Sequence, residues 1–352
     1  MKYLTVCFLL LFANLFCTPE YKHLREVSFF SSVSIHTLEV DPALYEIRPA
    51  HALDDGIGKE PVLSLSERYR ACAAVNGSFF FRAGNAAGAL KIHDWIALPF
   101  KLRGCIGWSR AVSPLFDRLE VRITGEGSHA FELNGLNRTR ADHEVVLFTP
   151  AFHRTTLTLP CGEEVVIRKN RITEIRKGGS SPIPSDGVVL SIGNKNPLYD
   201  TFCLGETVTF HTVVEPQLEK EDTERWHACD YIVSGVPLLI RHGSPIRDFD
   251  VEKARPQFLH GRHARTAIGI LPNGHFLFVV VDKLTILDGM TIPELRTFMI
   301  KAGCIEALNL DGGGSSTLVF EGEVKNRPRG WKIDTKKKGP RPVSDAILII
   351  PN

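Results

Sequence analysis

The residues of this chain best suited to chemistry form a short turn near the C-terminus. The turn combines one carboxylate, three glycines and two hydroxyl residues: Asp311, Gly312, Gly313, Gly314, Ser315 and Ser316. Three consecutive glycines cost backbone entropy, so a fold keeps them where a positive φ or a close backbone approach is required. A carboxylate beside exposed N–H groups and hydroxyls suits a polar ligand, either anionic or sugar-like. The alternative is a flexible hairpin with Asp311 as an ordinary turn residue.

Other positions carry side chains that commonly contact phosphates or sugars. Asn76, followed by Gly77, ends an apolar segment with an amide that both donates and accepts hydrogen bonds. Arg265 and Arg341 could each clamp a phosphate or carboxylate through two N–H groups. Asn326 follows the glycine-rich turn closely. Taken singly, each has a structural alternative, such as a plain turn for Asn76 or a surface ion pair for an arginine.

One helix and the strands around it would hold the glycine-rich turn in place. Thr291 can cap the N-terminus of this helix while Glu294 reaches back to the Thr291 backbone. A nearly continuous apolar strand precedes the helix at residues 275–282, and another follows it at residues 305–310. Asp311 is therefore expected at the carboxyl end of a buried strand, where ligand sites of such sheets concentrate.

Short apolar-alternating segments dominate the rest of the chain and predict strands separated by turns. These segments lie at residues 27–40, 44–47, 71–75, 119–123, 145–148, 164–167, 188–192, 207–213, 317–320 and 346–350. A second helix is predicted at residues 63–70. The sequence thus predicts an α+β fold with mixed, largely antiparallel sheets, a few packed helices and one main catalytic domain. It contains no fingerprint of a nucleotide-binding fold.

The composition narrows the classes of partner. The chain has 352 residues, 43% hydrophobic residues and a net charge of +2, which gives no indication of a nucleic-acid partner. The run of lysines at residues 336–338 is interpreted as a solvated loop.

The first 17 residues predict a signal peptide. Lys2 precedes an apolar run at residues 3–16, which is too short for a mature bilayer anchor. We therefore expect an exported protein, periplasmic or extracellular. Cys17 offers lipid attachment as an alternative, although Phe16 occupies the place where a small residue is expected. Membrane contact is expected only if Cys17 is lipidated.

Several motifs, taken in chain order, resemble those of the phosphodiester glycosidase family. They are Asn76-Gly-Ser-Phe-Phe80, Arg265-Thr-Ala-Ile-Gly269, Gly289-Met-Thr-Ile-Pro-Glu-Leu295, Ala307-Leu-Asn-Leu-Asp-Gly-Gly-Gly-Ser-Ser316, Val324-Lys-Asn-Arg-Pro328 and Arg341-Pro-Val-Ser344. The resemblance covers roughly residues 71–350 and is strongest in the C-terminal third. The resemblance implies a phosphodiester glycosidase domain at 71–352, which we expect to follow the signal peptide at 1–17 and a strand-rich lead-in at 18–70.

This sequence also departs from the family pattern at several places. Lys283 and Leu284 follow Asp282 where Asp-Gly-Arg is common, and Ala264 replaces a usual proline. Two further departures concern small polar residues: Ser78 stands where glycine is frequent, and Asp345 where asparagine is usual. The central site residues are unaffected by these changes.

The resemblance implies hydrolysis of a sugar-1-phosphodiester, similar to one of N-acetylglucosamine, to free sugar and a phosphomonoester. Asp311 would be the central carboxylate, acting as nucleophile, base or charge stabiliser, because cleavage of an anomeric bond builds positive charge on the sugar ring. Arg265 and Arg341 would stabilise the leaving phosphate. Asn76 and Asn326 would orient sugar hydroxyls, while the glycines, including Gly77, and the serines of the turn would contact substrate.

A second catalytic carboxylate stays open, with Glu306, Asp282 and Asp288 as candidates. No cofactor is expected to be required. A divalent cation could bind Asp311 and neighbouring carbonyls, but the sequence shows no complete ligand set. Two other functions stay open as well: a glycosidase of cell-envelope glycan or exopolysaccharide that needs no phosphate, and a non-catalytic glycan-binding protein.

Overall fold

The structure is a computed structural model that describes residues 19–27, 32–328 and 340–352. The predicted signal peptide, Cys17 and the lysine run at 336–338 lie outside the described residues. Within the described part, no helix is long and apolar enough to cross a bilayer.

Strands make up most of the regular structure. In chain order they are β1 (Glu20–Val27), β2 (Ser32–Val40), β3 (Tyr45–His51), β4 (Ala73–Asn76), β5 (Leu90–Ile92), β6 (Asp94–Ala97), β7 (Arg103–Trp108), β8 (Leu115–Glu126), β9 (Ala130–Glu132), β10 (Gly135–Leu136), β11 (Val145–Phe148), β12 (Glu163–Arg168), β13 (Arg171–Lys177), β14 (Gly187–Ile192), β15 (Thr209–Pro216), β16 (Tyr231–Gly235), β17 (Leu238–Arg241), β18 (Ser244–Pro245), β19 (Arg265–Ile270), β20 (Phe276–Val281), β21 (Glu306–Asn309), β22 (Leu318–Phe320), β23 (Glu323–Val324) and β24 (Asp345–Pro351).

These strands form four sheets. The orders are β1-β2-β20-β19-β21-β17-β18, then β23-β22-β4-β24-β3, then β15-β8-β7-β16-β5-β6 with β9 on β8, and finally β10-β11-β14-β12-β13. The pairs are antiparallel except for β10 with β11, which is parallel. Largely antiparallel sheets were predicted, and this is confirmed.

Helices are few and short. They are α1 (Val62–Arg68), α2 (Thr223–His227), α3 (Pro256–His260) and α4 (Ile292–Lys301), with 3-10 turns at Ala52–Asp54, Lys220–Asp222 and Asp250–Glu252. Strand accounts for 42% and helix for 12% of the chain. The α+β prediction therefore needs correction: the architecture is dominated by sheets, because most apolar segments alternate with a period of two and few show a helical period.

The helix α4 begins as its sequence predicts. The Thr291 hydroxyl accepts the Glu294 N–H, while the Glu294 carboxylate accepts the Thr291 N–H at 2.8 Å. This reciprocal capping satisfies two N–H groups that a helix start leaves unpaired. The cap fixes the start of the helix that leads into β21.

The largest apolar cluster joins three of the sheets. It contains Leu38 of β2 and Leu308 of β21 from one sheet, Val75 of β4 from the second and Ile106 of β7 from the third, all fully buried. Burial of this shared surface drives the sheets together. The cluster thereby fixes β4 against β21, the two strands whose ends carry the candidate site.

Candidate active site

The ends of β4 and β21 meet at Asp311. The Asn76 side-chain amide donates to the Asp311 carbonyl at 2.7 Å, and the Asp311 N–H donates to the Gly77 carbonyl at 3.1 Å. These two bonds join segments 235 residues apart in sequence. The structure therefore brings the two strand-to-turn motifs of the sequence to one place.

Asn76 connects the sheet that contains β4 with the sheet that contains β19 and β21. Its side-chain oxygen accepts the Thr266 hydroxyl at 2.7 Å and the Thr317 N–H at 3.1 Å, and Asn76 itself is buried. The amide thus bonds three protein groups at once. This arrangement positions the backbone of Asp311 and Thr317, and the predicted contact of Asn76 with sugar hydroxyls stays a prediction.

The Asp311 carboxyl is partly exposed yet strongly desolvated. Burial disfavours the charged form and raises the pKa of Asp311 to about 6. The nearby Ser315 hydroxyl, the Gly312 N–H at 2.8 Å from Oδ1 and the positive charge of Arg341 oppose this rise, while the negative charge of Asp345 adds to it. Asp311 can therefore exchange a proton near neutral pH.

The glycines of the turn are required by close contacts with the start of β19. A side chain on Gly312 would place its Cβ 2.8 Å from the Ala264 carbonyl oxygen, and the Gly313 N–H donates to that same oxygen at 2.8 Å. Gly313 has φ = 64°, a conformation that favours glycine. Among the described residues, the N–H groups of Gly314 and Ser316 have no acceptor. The Gly314 N–H, on a partly exposed residue, can donate to an anion or a sugar oxygen.

Three consecutive hydroxyls follow the glycines. Ser315, Ser316 and Thr317 are fully buried, and none of their hydroxyls makes a hydrogen bond of regular geometry within the described part of the chain. Buried polar groups in proteins almost always have a partner. The Ser315 hydroxyl lies near the Asp311 carboxyl. The three buried hydroxyls therefore make the interior next to the turn polar.

Arg341 supplies the positive charge of the site. Its side chain is exposed, its guanidinium lies over the Phe80 ring at 5.1 Å, and its charge lowers the pKa of Asp311. An aromatic face below a guanidinium holds it without consuming its N–H groups. Arg341 is therefore placed to receive an anionic part of a ligand.

Arg265 occupies a different environment. It is buried, and its guanidinium donates to the carbonyls of Met290, Phe258 and Gly261 at 2.8, 2.7 and 2.9 Å. Desolvation lowers the pKa of Arg265 to about 10, an effect that the charge of Glu294 partly offsets. The geometry shows Arg265 holding three backbone segments together, and its predicted phosphate contact stays a prediction.

Asn326 lies behind the turn. Its amide donates to the Ser316 carbonyl at 2.9 Å and to Asp282 Oδ1 at 3.0 Å, while its oxygen accepts the Leu318 N–H at 2.8 Å. Both amide hydrogens are therefore used inside the protein. Asn326 fixes the backbone of the turn, and its predicted role in binding sugar hydroxyls stays a prediction.

Asp282 completes this support. It is buried and accepts hydrogen bonds from Asn326, the Arg327 N–H and the His36 ring. Although burial alone would raise it, these partners together lower the pKa of Asp282. Asp282, a candidate second carboxylate, is thus an internal acceptor that ties β2 and β20 to the turn.

The other two candidates also lie in structural roles. Glu306 accepts from Arg241 at 2.8 Å at the start of β21, and Asp288 accepts the Thr285 N–H at 2.9 Å within a loop. The negative charge of another carboxylate, Asp345, raises the pKa of Asp311 more than the charges of these three candidates do.

Asp345 is the carboxylate that sequence reasoning missed as a site residue. It is fully buried, and its oxygens accept the Ser78 N–H at 2.8 Å, the Ser78 hydroxyl at 2.5 Å and the Ser344 hydroxyl at 2.5 Å. Gly77 lies so close that an added Cβ would be 2.0 Å from Asp345 Oδ1. The sequence did carry a signal, because Ser78 and Asp345 are both departures from the family pattern.

No metal site is evident from the geometry. Among residues 19–27, 32–328 and 340–352, no group of three or more His, Cys, Asp or Glu side chains is placed to bind a metal ion. The site presents the partly exposed carboxyl of Asp311, the guanidinium of Arg341 and the hydrogen-bond donors of the turn.

Known proteins resemble the chain in sequence. A family model described as phosphodiester glycosidase matches residues 162–350. The N-acetylglucosamine-1-phosphodiester alpha-N-acetylglucosaminidase of Bos taurus is 32% identical over 127 residues, which cover 34% of this chain and 24% of that protein. This chain thus spans about a quarter of the length of that curated relative.

The fold also recurs in crystal structures. A hypothetical protein from Synechocystis superposes with a TM-score of 0.79 at 24% identity, covering 94% of this chain and 62% of that one. A Burkholderia pseudomallei protein gives a TM-score of 0.76 at 21% identity, covering 91% and 74%. At this identity the two structures show the fold alone. Because the family model matches more than half of the sequence, the chain belongs to the phosphodiester glycosidase family.

Proposed function

We infer that this protein hydrolyses a sugar-1-phosphodiester to the free sugar and a phosphomonoester. The observation that carries this proposal is the pairing of Asp311, a carboxyl with a pKa of about 6, with the exposed guanidinium of Arg341. A carboxylate meets the positive charge that develops at an anomeric carbon, and a guanidinium meets the negative charge of a departing phosphate. The site offers both groups, the carboxylate of Asp311 and the guanidinium of Arg341.

Asp311 would act as the base. In its ionised form it takes a proton from a water molecule whose oxygen bonds to the anomeric carbon. The bond between that carbon and the phosphate oxygen breaks, and the phosphate leaves with the bonding electrons. Its raised pKa makes Asp311 a stronger base than an ordinary aspartate while leaving it largely ionised above about pH 6.

Arg341 and the turn would stabilise the leaving group. A phosphomonoester is already a good leaving group, so donors to its oxygens contribute more than a strong general acid. The guanidinium of Arg341 can bind two phosphate oxygens, and the N–H group of the partly exposed Gly314 has no protein acceptor to compete among the described residues. Asp345, fully buried, would hold the site and tune Asp311 without touching substrate.

The names of the curated relatives support N-acetylglucosamine as the sugar, since those proteins are phosphodiester alpha-N-acetylglucosaminidases. We extend this to the present chain as part of the proposal. The apolar N-terminal run supports an exported location, which we propose as well.

The test uses two substrates that differ only in the phosphate. Purified protein is incubated with the methyl phosphodiester of N-acetylglucosamine-1-phosphate and with methyl α-N-acetylglucosaminide. Release of sugar from the phosphodiester alone supports the proposal. Equal release from both would identify a glycosidase that does not need phosphate, and binding without release would identify a glycan-binding protein.

A further inference from the structure

Two loops beside the site expose large apolar side chains. After β20, Ile286 is 85% exposed, and Leu284 and Leu287 are each more than half exposed. After β4, Phe81 is 44% exposed and touches the 54% exposed ring of Phe100. We call these five residues the apolar rim. Exposed apolar clusters of this kind commonly mark a binding surface.

The Phe81 part of the rim adjoins the site directly. Phe81 follows Phe80, whose ring lies under the Arg341 guanidinium. The positive charge of Arg341 lowers the pKa of Asp311. A ligand whose phosphate reached Arg341 would therefore extend past Phe81. The aglycone, attached to the other side of that phosphate, is the part of a phosphodiester substrate that would meet this surface.

The Ile286 part lies in the loop between β20 and α4. Its loop begins directly after Asp282, which Asn326 connects to the Ser316 carbonyl. The loop also ends near the site scaffold, since the Met290 carbonyl accepts from Arg265 at 2.8 Å. The loop is thus anchored at both ends, and only its apolar tip projects.

Basic residues border the rim. Arg82 directly follows Phe81, and Lys101 directly follows Phe100. The cations of Lys101 and Arg103 lie over the Phe100 ring at 5.5 and 5.8 Å. In the second loop, Lys283 precedes the apolar tip, and the acidic Asp288 is buried by its bond to Thr285.

We propose that the apolar rim inserts into an anionic lipid surface and that the substrate is a sugar-1-phosphodiester of a lipid alcohol held in that surface. Apolar side chains at loop tips, bordered by Lys and Arg, match the acyl boundary and the anionic headgroups of a bilayer. The site then receives a sugar and phosphate that project from the membrane. This inference rests on the proposed function for its substrate but not for its lipid contact.

Binding is tested with vesicles of phosphatidylglycerol and phosphatidylcholine in equal amounts. Full-length wild type is compared in cosedimentation with Ile286→Ser/Leu287→Ser and with Phe81→Ser/Phe100→Ser. The matched control is Leu159→Ser/Leu204→Ser, because these leucines are 69% and 68% exposed in loops before β12 and after β14. We expect each rim pair to weaken binding about tenfold and the control pair to leave it unchanged.

A second measurement is independent of any anchoring by the N-terminal residues. Ile286→Trp and Leu204→Trp are compared in vesicles whose phosphatidylcholine carries brominated acyl chains, after subtraction of wild-type fluorescence. Quenching at position 286 alone supports insertion. Equal quenching at both positions, or none at 286 together with unchanged cosedimentation of the rim variants, would overturn the proposal.

Activity separates this inference from the proposed function. The Ile286→Ser/Leu287→Ser variant should hydrolyse the soluble methyl phosphodiester as wild type does, but show about a tenfold higher KM for a long-chain alcohol diester embedded in the same vesicles. If wild type hydrolyses neither substrate, the proposed function fails and the vesicle data still decide the lipid contact. If rim variants retain wild-type KM for the embedded diester, the lipid substrate is excluded.

Discussion

Ser78 donates both its backbone N–H and its hydroxyl to the carboxylate of Asp345, at 2.8 and 2.5 Å. The two residues are 267 positions apart. Their bond holds the turn after β4, where the Gly77 carbonyl accepts the Asp311 N–H. The buried carboxylate of Asp345 therefore holds the backbone that binds Asp311, and its negative charge raises the pKa of Asp311.

Asp345→Asn should shift the pH dependence of hydrolysis. Asp345 raises the pKa of Asp311, so removal of its negative charge makes Asp311 easier to ionise and moves the pH midpoint of kcat/KM to a lower value. The guanidinium of Arg341, which lowers the pKa of Asp311, stays in place in this variant. His51, opposite Asp345 on β3, is buried, and burial lowers its pKa. The measurement is a pH profile of kcat/KM on the soluble phosphodiester.

Ser344→Ala is the matched control for that experiment. It removes one hydrogen bond to Asp345 but keeps the carboxylate charge. The pH midpoint should stay near that of wild type, while the free energy of unfolding falls by about 1 kcal/mol. An equal shift in both variants would show that the effect comes from packing and not from charge.

Wild-type activity should rise with pH across the pKa of Asp311. The carboxylate is needed ionised as a base, and its pKa of about 6 sets the midpoint of the rising limb of kcat/KM. Below that pH the protonated carboxyl cannot accept the proton of water. A profile that falls as the pH rises through about 6 would instead assign Asp311 as an acid.

The two arginines should respond differently to substitution. Arg341 is exposed, so Arg341→Ala should leave the melting temperature nearly unchanged and raise KM for the phosphodiester about tenfold or more. Arg265 donates to three carbonyls in the interior, so Arg265→Met should cost about 3 kcal/mol of unfolding free energy. Thermal melts and kinetics on both variants check this, and a stable Arg265→Met protein with raised KM would restore Arg265 as a phosphate ligand.

Asp282→Asn should destabilise the protein in a pH-dependent manner. An amide at this position cannot accept from Asn326, Arg327 and His36 as a carboxylate does, so we expect a loss of about 1–3 kcal/mol at neutral pH. The pKa of Asp282 is lower in the folded state, so its contribution is full above the ordinary value of 3.8 and is lost as the pH falls through the folded-state pKa.

Urea unfolding of both proteins at several pH values measures that difference. Asp288→Asn serves as the control, since Asp288 caps one N–H within a loop. It should cost less at neutral pH, because a single hydrogen bond is affected. A wild-type advantage over Asp282→Asn that grew towards acid pH would contradict the account.

The elements that local sequence determines were predictable. The capping residues Thr291 and Glu294 are three positions apart, and their contact formed as expected. The apolar segment at 145–148 coincides with β11, Val145–Phe148. The short helices α2 and α3 were not predicted, because five residues are too few to show a helical period.

The sequence predicted several residues that the structure brings close together, but not the bonds that each of them makes. Sequence motifs identified Asn76 and Asp311, and the structure joins them through a direct bond. The sequence could not show that the amides of Asn76 and Asn326 are consumed internally. It also could not show that Asp345 lies against Ser78, since such contacts depend on how the sheets pack. Local sequence patterns do not determine which distant residues come into contact.

The substitution Asp311→Asn tests the central claim most directly. The asparagine keeps the size of the side chain, so the melting temperature should stay near that of wild type. Because the base is lost, kcat on the methyl phosphodiester of N-acetylglucosamine-1-phosphate should fall by about 10²–10⁴-fold. A folded Asp311→Asn protein with near-wild-type kcat would contradict the assignment of Asp311 and, with it, the proposed mechanism.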